Sequence, residues 1–205
     1  ADGPQAIFPQ PVSGLGEVRL AVRAGDAEKA TLLIAEFKQQ VSDQLIRIKD
    51  EFCALEETLG YHFVDQGLLE HALTHRSKAH EDMSGGVRDN ESLEFLGDAI
   101  LGFIVTARLF RECPDWNEGQ KSKAKAMIVS TAALAKFGGN LGLGDHLMLG
   151  RGEEKTGGRR KHSLIADTFE AVVAAIFLDG GIDAAETFLD RFLRPQLDAF
   201  RTEGF

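Results

Sequence analysis

The chain has 205 residues, 43% of them hydrophobic, which is enough for a packed core and argues against wholesale disorder. No apolar run approaches the ~20 residues needed to cross a bilayer, and no basic segment followed by an apolar stretch opens the chain, so neither a membrane span nor a secretory leader is expected. The formal net charge of −9 argues against a nucleic-acid partner, unless many of the acids are metal ligands that bound ions neutralise and local basic patches meet the phosphates.

Residues 1–25 are rich in Gly and Pro and predict an irregular, loosely attached segment. From a possible cap at Asp26 to about Leu59 the pattern is helical: Ile34, Val41, Ile48 and Leu55 recur every seven residues, with Phe37, Leu45 and Phe52 beside them. Such a face serves either docking on the chain's own domain or a coiled-coil arm, although Gln44 and Glu51 interrupt the second seam. The division expected is an extension over 1–50 and a domain over 51–205. A short helix follows in DQGLLEHALTHRS, then a polar loop to Asn90, then a helix from Glu91 to about Arg111 that Cys113-Pro114 stops. A further helix starts near Asn117 or Glu118 and runs to a break at Gly138-Gly139. LGRGEEKTGGRRK reads as a charged loop; helices over 163–178 and 182–200 meet at Gly180-Gly181. No strand alternation stands out, and the predicted class is all-α.

Two helices carry the chemistry. At roughly 100° per residue, Glu91, Glu94 and Asp98 share one narrow face of their helix, opposite a stripe of Leu93, Leu96, Ile100 and Ile104. In the later helix Asp167 and Glu170 lie one turn apart, beside an apolar stripe of Ile165, Phe169, Val172 and Ile176. Ala171, Ala174 and Ala175 are small enough to let another helix approach. Facing each other, such helices build a carboxylate site in a bundle core. Like charges ~4 Å apart repel by about 4 kcal/mol at an effective dielectric of ~20, which a divalent cation reverses. Oxygen donors without His or Cys favour Mg²⁺ or Mn²⁺, ions suited to phosphodiester hydrolysis. Spacing alone leaves a solvated acidic face as the alternative.

The string NESLEFLGDAIL resembles the signature of the ribonuclease III family. LEETLGYHFVDQGLLEHALTHRS resembles the opening segment of that family, and LGRGEEKTGGRRKHSLIADTFEAVVAAIFLDGG its closing one, so the resemblance runs from about Glu51 to about Leu197. It implies a helical homodimer that cuts both strands of double-stranded RNA with Mg²⁺, leaving 5′-phosphate and 3′-hydroxyl ends, as a cytoplasmic enzyme of RNA processing, including that of ribosomal precursors. It places the metal ligands at Glu94, Asp98, Asp167 and Glu170, with Asp98 and Glu170 central to catalysis and Glu170 the most sensitive. Glu91 and Glu118 match further acids, and Phe95, on the acid side of its helix, matches a residue that plugs into the other subunit. A relative serving only as a non-catalytic RNA-binding or assembly protein would lack some of these acids. Ser92 stands where the family usually has a base. Bacterial members usually continue into a double-stranded-RNA-binding domain, for which this sequence shows no counterpart; weak, salt-sensitive RNA binding is therefore expected.

Lys121, Lys123 and Lys125 after Glu118, and Lys155, Arg159, Arg160 and Lys161 in the Gly-rich loop, are candidate contacts to RNA backbone; a solvated loop is the alternative. His71 and His75 have the i, i+4 spacing of zinc-binding helices, but no third ligand is evident and a structural role is expected. GRGEEKTGG lacks the Lys of a P-loop. Cys53 and Cys113 read as free thiols in a reducing compartment.

Overall fold

A computed structural model of the chain describes residues 6–12, 15–22, 27–82 and 85–203, with side chains at 29–43, 52–82 and 85–202. Two compact units result, Ala1–Phe52 and Cys53–Phe205.

In the first unit, β1 (Ala6–Val12) and β2 (Leu15–Val22) form an antiparallel hairpin, in register from Ala6 opposite Val22 to Val12 opposite Leu15, with an irregularity between Gln10 and Val12. This corrects the irregular, strand-free segment expected from sequence. Val18, Leu20 and Val22 alternate with other residues at a strand's period of two, but the prolines and glycines around them mask so short a pattern. Helix α1 (Ala27–Leu59) follows. The expected cap Asp26 lies outside the described residues, and the seam positions Gln44, Leu45, Ile48 and Glu51 lie outside the described side chains. Leu32, Leu33 and Phe37 are exposed.

The second unit takes up the end of α1, where Leu55 and Leu59 are buried. Gly60, at φ 68°, closes that helix by donating its N–H to the Glu56 carbonyl at 2.8 Å. Arg191 Nη1 donates to the carbonyls of Thr58 and Leu59 at 3.0 and 2.7 Å, satisfying acceptors that a helix end leaves open. The remaining elements are α2 (Gln66–Leu73), α3 (Arg76–Glu81), α4 (Glu91–Glu112), α5 (Glu118–Ile128), α6 (Thr131–Asn140), α7 (Leu143–His146), α8 (Arg151–Lys155), a 3₁₀ turn at Gly158–Arg160 and α9 (His162–Glu203). The unit is all-α, as predicted, and among the described residues no helix is long and apolar enough to cross a membrane.

Helix α9 is the centre on which α2, α4 and α6 pack. At Gly181 its backbone leaves helical geometry (φ 78°, ψ −173°), dividing it into two arms. The first arm presents Phe169 to Phe188 and Phe192 of the second, at ring-centroid distances of 5.7 and 5.4 Å, and Phe137 of α6 completes the cluster. Asp179 holds the start of the unit against the first arm: it accepts from the Tyr61 hydroxyl at 2.8 Å and from the Val64 and Asp65 amides at 2.9 Å. Three local expectations are corrected. Residues 78–81 of the expected polar loop belong to α3, and the expected charged loop LGRGEEKTGGRRK carries α8 and the 3₁₀ turn. The break between α5 and α6 falls at Val129-Ser130, not at Gly138-Gly139, because the Ser130 hydroxyl accepts the Ala133 N–H and starts a new helix. Gly138 instead lies inside α6, pressed against Ile165.

Candidate metal centre

The start of α4 is fixed from below. Asn90 is buried; its N–H donates to the Thr74 carbonyl at 2.9 Å and its side-chain amide to the Ala72 carbonyl at 3.2 Å. The His71 ring bonds the Asp89 carbonyl at 2.7 Å. These ties to the end of α2 set the rotation of α4, so that Leu93, Ile100 and Ile104 are buried and Leu96 half-buried. On α9, Ile165, Phe169, Val172 and Ile176 are buried together with Ala171, Ala174 and Ala175.

The two helices touch at Gly97. A Cβ there would lie 1.9 Å from the Glu170 carbonyl oxygen, so only glycine permits this approach. It brings acids from both helices together. One carboxylate oxygen each from Glu94, Asp167 and Glu170 lie within 4.8 Å of one another, and all three residues are half-buried. No other such group of His, Cys, Asp and Glu side chains forms among the described residues.

Asp98 and Glu91 are exposed on the same helix, outside that trio. Asp98 still acts on it: burial first, then the charges of Asp98, Glu94 and Asp167, push the Glu170 carboxyl up to about 7. Burial raises Glu94 too, aided by Asp167 and Glu91, and burial raises Asp167. Without a counter-ion the cluster is thus strained by its own charge. Three hard oxygen donors, no nitrogen or sulfur among them, and a spacing that one ion can bridge fit Mg²⁺ or Mn²⁺.

The other candidates scatter. Glu118, in the first turn of α5, accepts from the Ser122 hydroxyl at 2.6 Å and stands apart from the trio. Phe95 is 81% exposed, and Phe103 and Phe110 are exposed further along α4. Of the basic candidates, Lys121 donates to the Trp116 carbonyl. Arg159 is an internal strut, bonded to Glu154 at 2.7 Å and to the Gly144 and Asp145 carbonyls at 3.1 and 2.8 Å. Lys161 is tied to Glu153 at 2.5 Å. Lys123, Lys155 and Arg160 are exposed, and the Lys125 ammonium lies over Gly102 of α4. The His75 ring accepts the Ser77 N–H at 3.2 Å and shares a hydrogen bond with its hydroxyl at 2.8 Å, which leaves His71 and His75 as structural groups.

Two residues at this centre escaped the sequence reading. Gly97 carried a signal, since glycine inside a helix costs about 1 kcal/mol relative to alanine and marks a close approach. Arg76 carried none: its Nη1 meets Glu91 Oε1 at 3.2 Å through the fold alone.

Proteins called Ribonuclease 3 are similar to this chain: 52% identical over 131 residues in Syntrophobacter fumaroxidans, 52% over 144 in Leifsonia xyli and 51% over 144 in Streptomyces coelicolor. These alignments take in 64–70% of this chain and only 51–60% of the relatives' own length. The solved nuclease domain of ribonuclease III from Campylobacter jejuni, described with structural flexibility in a region involved in its dimer formation, is 39% identical. It superposes with a TM-score of 0.64 over 70% of this chain and 96% of that domain. A second structure of that domain gives 40% and 0.62, over 69% of this chain and 92% of that one. The Ribonuclease-III-like family model matches residues 65–197, which include Glu94, Asp167 and Glu170, and the chain belongs to that family.

Proposed function

We propose that the chain is a Mg²⁺-dependent endoribonuclease that hydrolyses double-stranded RNA to 5′-phosphate and 3′-hydroxyl ends, and that it works as a homodimer in cytoplasmic RNA processing, ribosomal precursors included. The observation that carries this reading is the trio Glu94, Asp167 and Glu170, assembled from two helices at a glycine contact. When bound there, Mg²⁺, or Mn²⁺ in its place, would stabilise charge on the phosphate and lower the pKa of water. The residues have separate parts. Glu94 and Asp167 would supply one oxygen each, from α4 and α9. Glu170 would supply the third; burial and the neighbouring acids push its carboxyl up to about 7, so it holds a proton that a bound cation would displace. Asp98, exposed beside them, adds negative charge that favours the cation and is proposed as a fourth ligand. Glu91 and Glu118 are proposed as outer acids. The exposed Lys123, Lys155 and Arg160 are proposed to meet phosphates along the shallow groove of the duplex.

The dimer reading rests on α4, where Phe95, Phe103 and Phe110 expose three large rings along one helix. Isolated apolar side chains on a surface need no explanation, but a row of rings marks a contact, and a two-fold axis would present the same row on both copies.

The test is cleavage of a labelled RNA duplex at low salt with Mg²⁺, with Ca²⁺ and with EDTA, beside single-stranded RNA and duplex DNA. Mg²⁺-dependent cutting of duplex RNA alone is expected. Glu170→Gln keeps the shape and removes the charge. It should abolish cutting while leaving a folded chain that still binds RNA, a larger loss than the ~10–100-fold that outer partners of a metal site typically cost. Cutting at the wild-type rate by that variant would overturn the assignment.

A further inference from the structure

One guanidinium stands at the rim of the acids with donors to spare. Arg76 is the first residue of α3, and its neighbours on both sides are stitched to the segment before α8. The His75 N–H donates to the Met148 carbonyl at 3.0 Å, and the Ser77 hydroxyl accepts the Gly150 N–H at 2.9 Å. Gly150 sits so close that a Cβ there would lie 2.5 Å from the Ser77 carbonyl oxygen. The turn is therefore fixed independently of Arg76, whose side chain is free of that task and extends toward α4. There it meets Glu91 at 3.2 Å while remaining 62% exposed. Its charge also reaches the trio, drawing Glu94 and Asp167 down against the burial that raises both.

An arginine carries five N–H donors in a rigid fork, and the carboxylate of Glu91 engages one arm. The side chain as a whole stays more than half exposed, beside a centre made mostly of acids. The carboxylates there repel an approaching phosphodiester, whereas this guanidinium attracts it, as would a cation held by the acids and any positive charge on His75. Resting on the function proposed above, we infer that Arg76 is a phosphate-binding residue, its guanidinium spanning Glu91 and a non-bridging oxygen of the RNA strand at the edge of the metal centre. Glu91 then acts as a positioning residue, holding the fork in place. A lysine would supply charge at this point but no second arm.

The experiment uses the full chain, as wild type, Arg76→Gln, Arg76→Lys and Glu91→Gln. Binding of a fluorescein-labelled, fully paired RNA duplex is read by anisotropy across a salt series with Ca²⁺ in place of Mg²⁺, and cleavage is read separately with Mg²⁺. Each variant's melting temperature should stay near that of wild type, since both side chains are more than half exposed. Arg76→Gln should weaken binding about tenfold and reduce the slope of log affinity against log salt by about one phosphate contact. Arg76→Lys should keep the slope but lose affinity and cleavage rate, and Glu91→Gln should keep the full slope. Wild-type affinity and slope in Arg76→Gln would overturn the proposal. So would equal losses in Arg76→Gln and Glu91→Gln at an unchanged slope, because Arg76 would then serve only to hold Glu91. Failure of the wild type to bind the duplex would overturn it as well. A wild type that binds duplex but does not cut it would instead refute the hydrolytic reading, and the binding series would still judge Arg76.

Discussion

Glu170 gives the acidic trio a measurable pH signature. Its carboxyl rises from an ordinary 4.5 to about 7 in the fold, so between those values the folded state holds more protons than the unfolded one. Stability of the metal-free chain should therefore be greater near pH 5 and fall as pH rises through 7. Thermal melts in EDTA across that range should show the decline in the wild type, and Glu170→Gln should flatten it. Bound cation competes with the same proton, so affinity for Mg²⁺ should climb through pH 7; isothermal titration at two pH values checks this. Asp179 has the opposite sign. Burial opposes its ionisation, but the Asp65 and Val64 amides and the Tyr61 hydroxyl outweigh it and hold the carboxyl below the usual range. Its contribution is present at neutral pH and is lost as pH falls through the folded value. Asp179→Asn should cost about 1.5–3 kcal/mol, as for other hydrogen bonds to a charged group, read by urea denaturation at pH 7.

The contact of α4 with α9 depends on a missing side chain, and the prediction for it is directional. Gly97→Ala places a Cβ 1.9 Å from the Glu170 carbonyl oxygen, so the helices must separate. The expected cost is about 1–3 kcal/mol, as for other overpacked cores, with a loss of cleavage beyond what the unfolded fraction explains. At Gly139, in α6, a Cβ would meet nothing within 4 Å, so Gly139→Ala should stabilise by about 0.5–1 kcal/mol. Urea denaturation of the pair separates the two outcomes. At this scale the sequence was informative wherever helical period and apolar stripe coincide. The acid face of α4 and the Asp167, Glu170 pair could be placed by counting residues. The β1–β2 hairpin could not, because its alternation spans too few residues beside the prolines and glycines of that segment. The Ser130 break was obscured by a stronger breaker signal at Gly138-Gly139, and packing against Ile165 overrode that signal.

For the molecule as a whole, composition misled where local arrangement decides. A net charge of −9 spoke against RNA, yet three of the acids gather where a cation would offset them. Which bases face outward was not legible, because Arg159 and Lys161 look alike in a basic run until the fold commits them to Glu154 and Glu153. Phe95 was recognisable as misplaced on the polar side of its helix, whereas Phe103 and Phe110 gained meaning only from their exposure. If these rings meet a second copy, Phe95→Ala should weaken association by about 2 kcal/mol, a ~30-fold rise in the dimer dissociation constant. Sedimentation velocity over a dilution series measures this, and a monomer in both proteins would sink the idea.

The two arms of α9 carry a consequence for the order of assembly. Phe169 meets Phe188 and Phe192 across the Gly181 break, contacts that close short loops. Such local contacts form early, since loop closure is their main entropic cost. In that order Asp167 and Glu170 would lie on a formed hairpin before Glu94 arrives on α4, and the like charges would first confront one another at the docking of that helix. Refolding in EDTA should accelerate as pH drops from 8 to 6, and Mg²⁺ should produce the same acceleration at pH 8, both followed by stopped flow. Should both accelerations appear, an acidic centre of this construction would be a late checkpoint in folding as well as a place for chemistry.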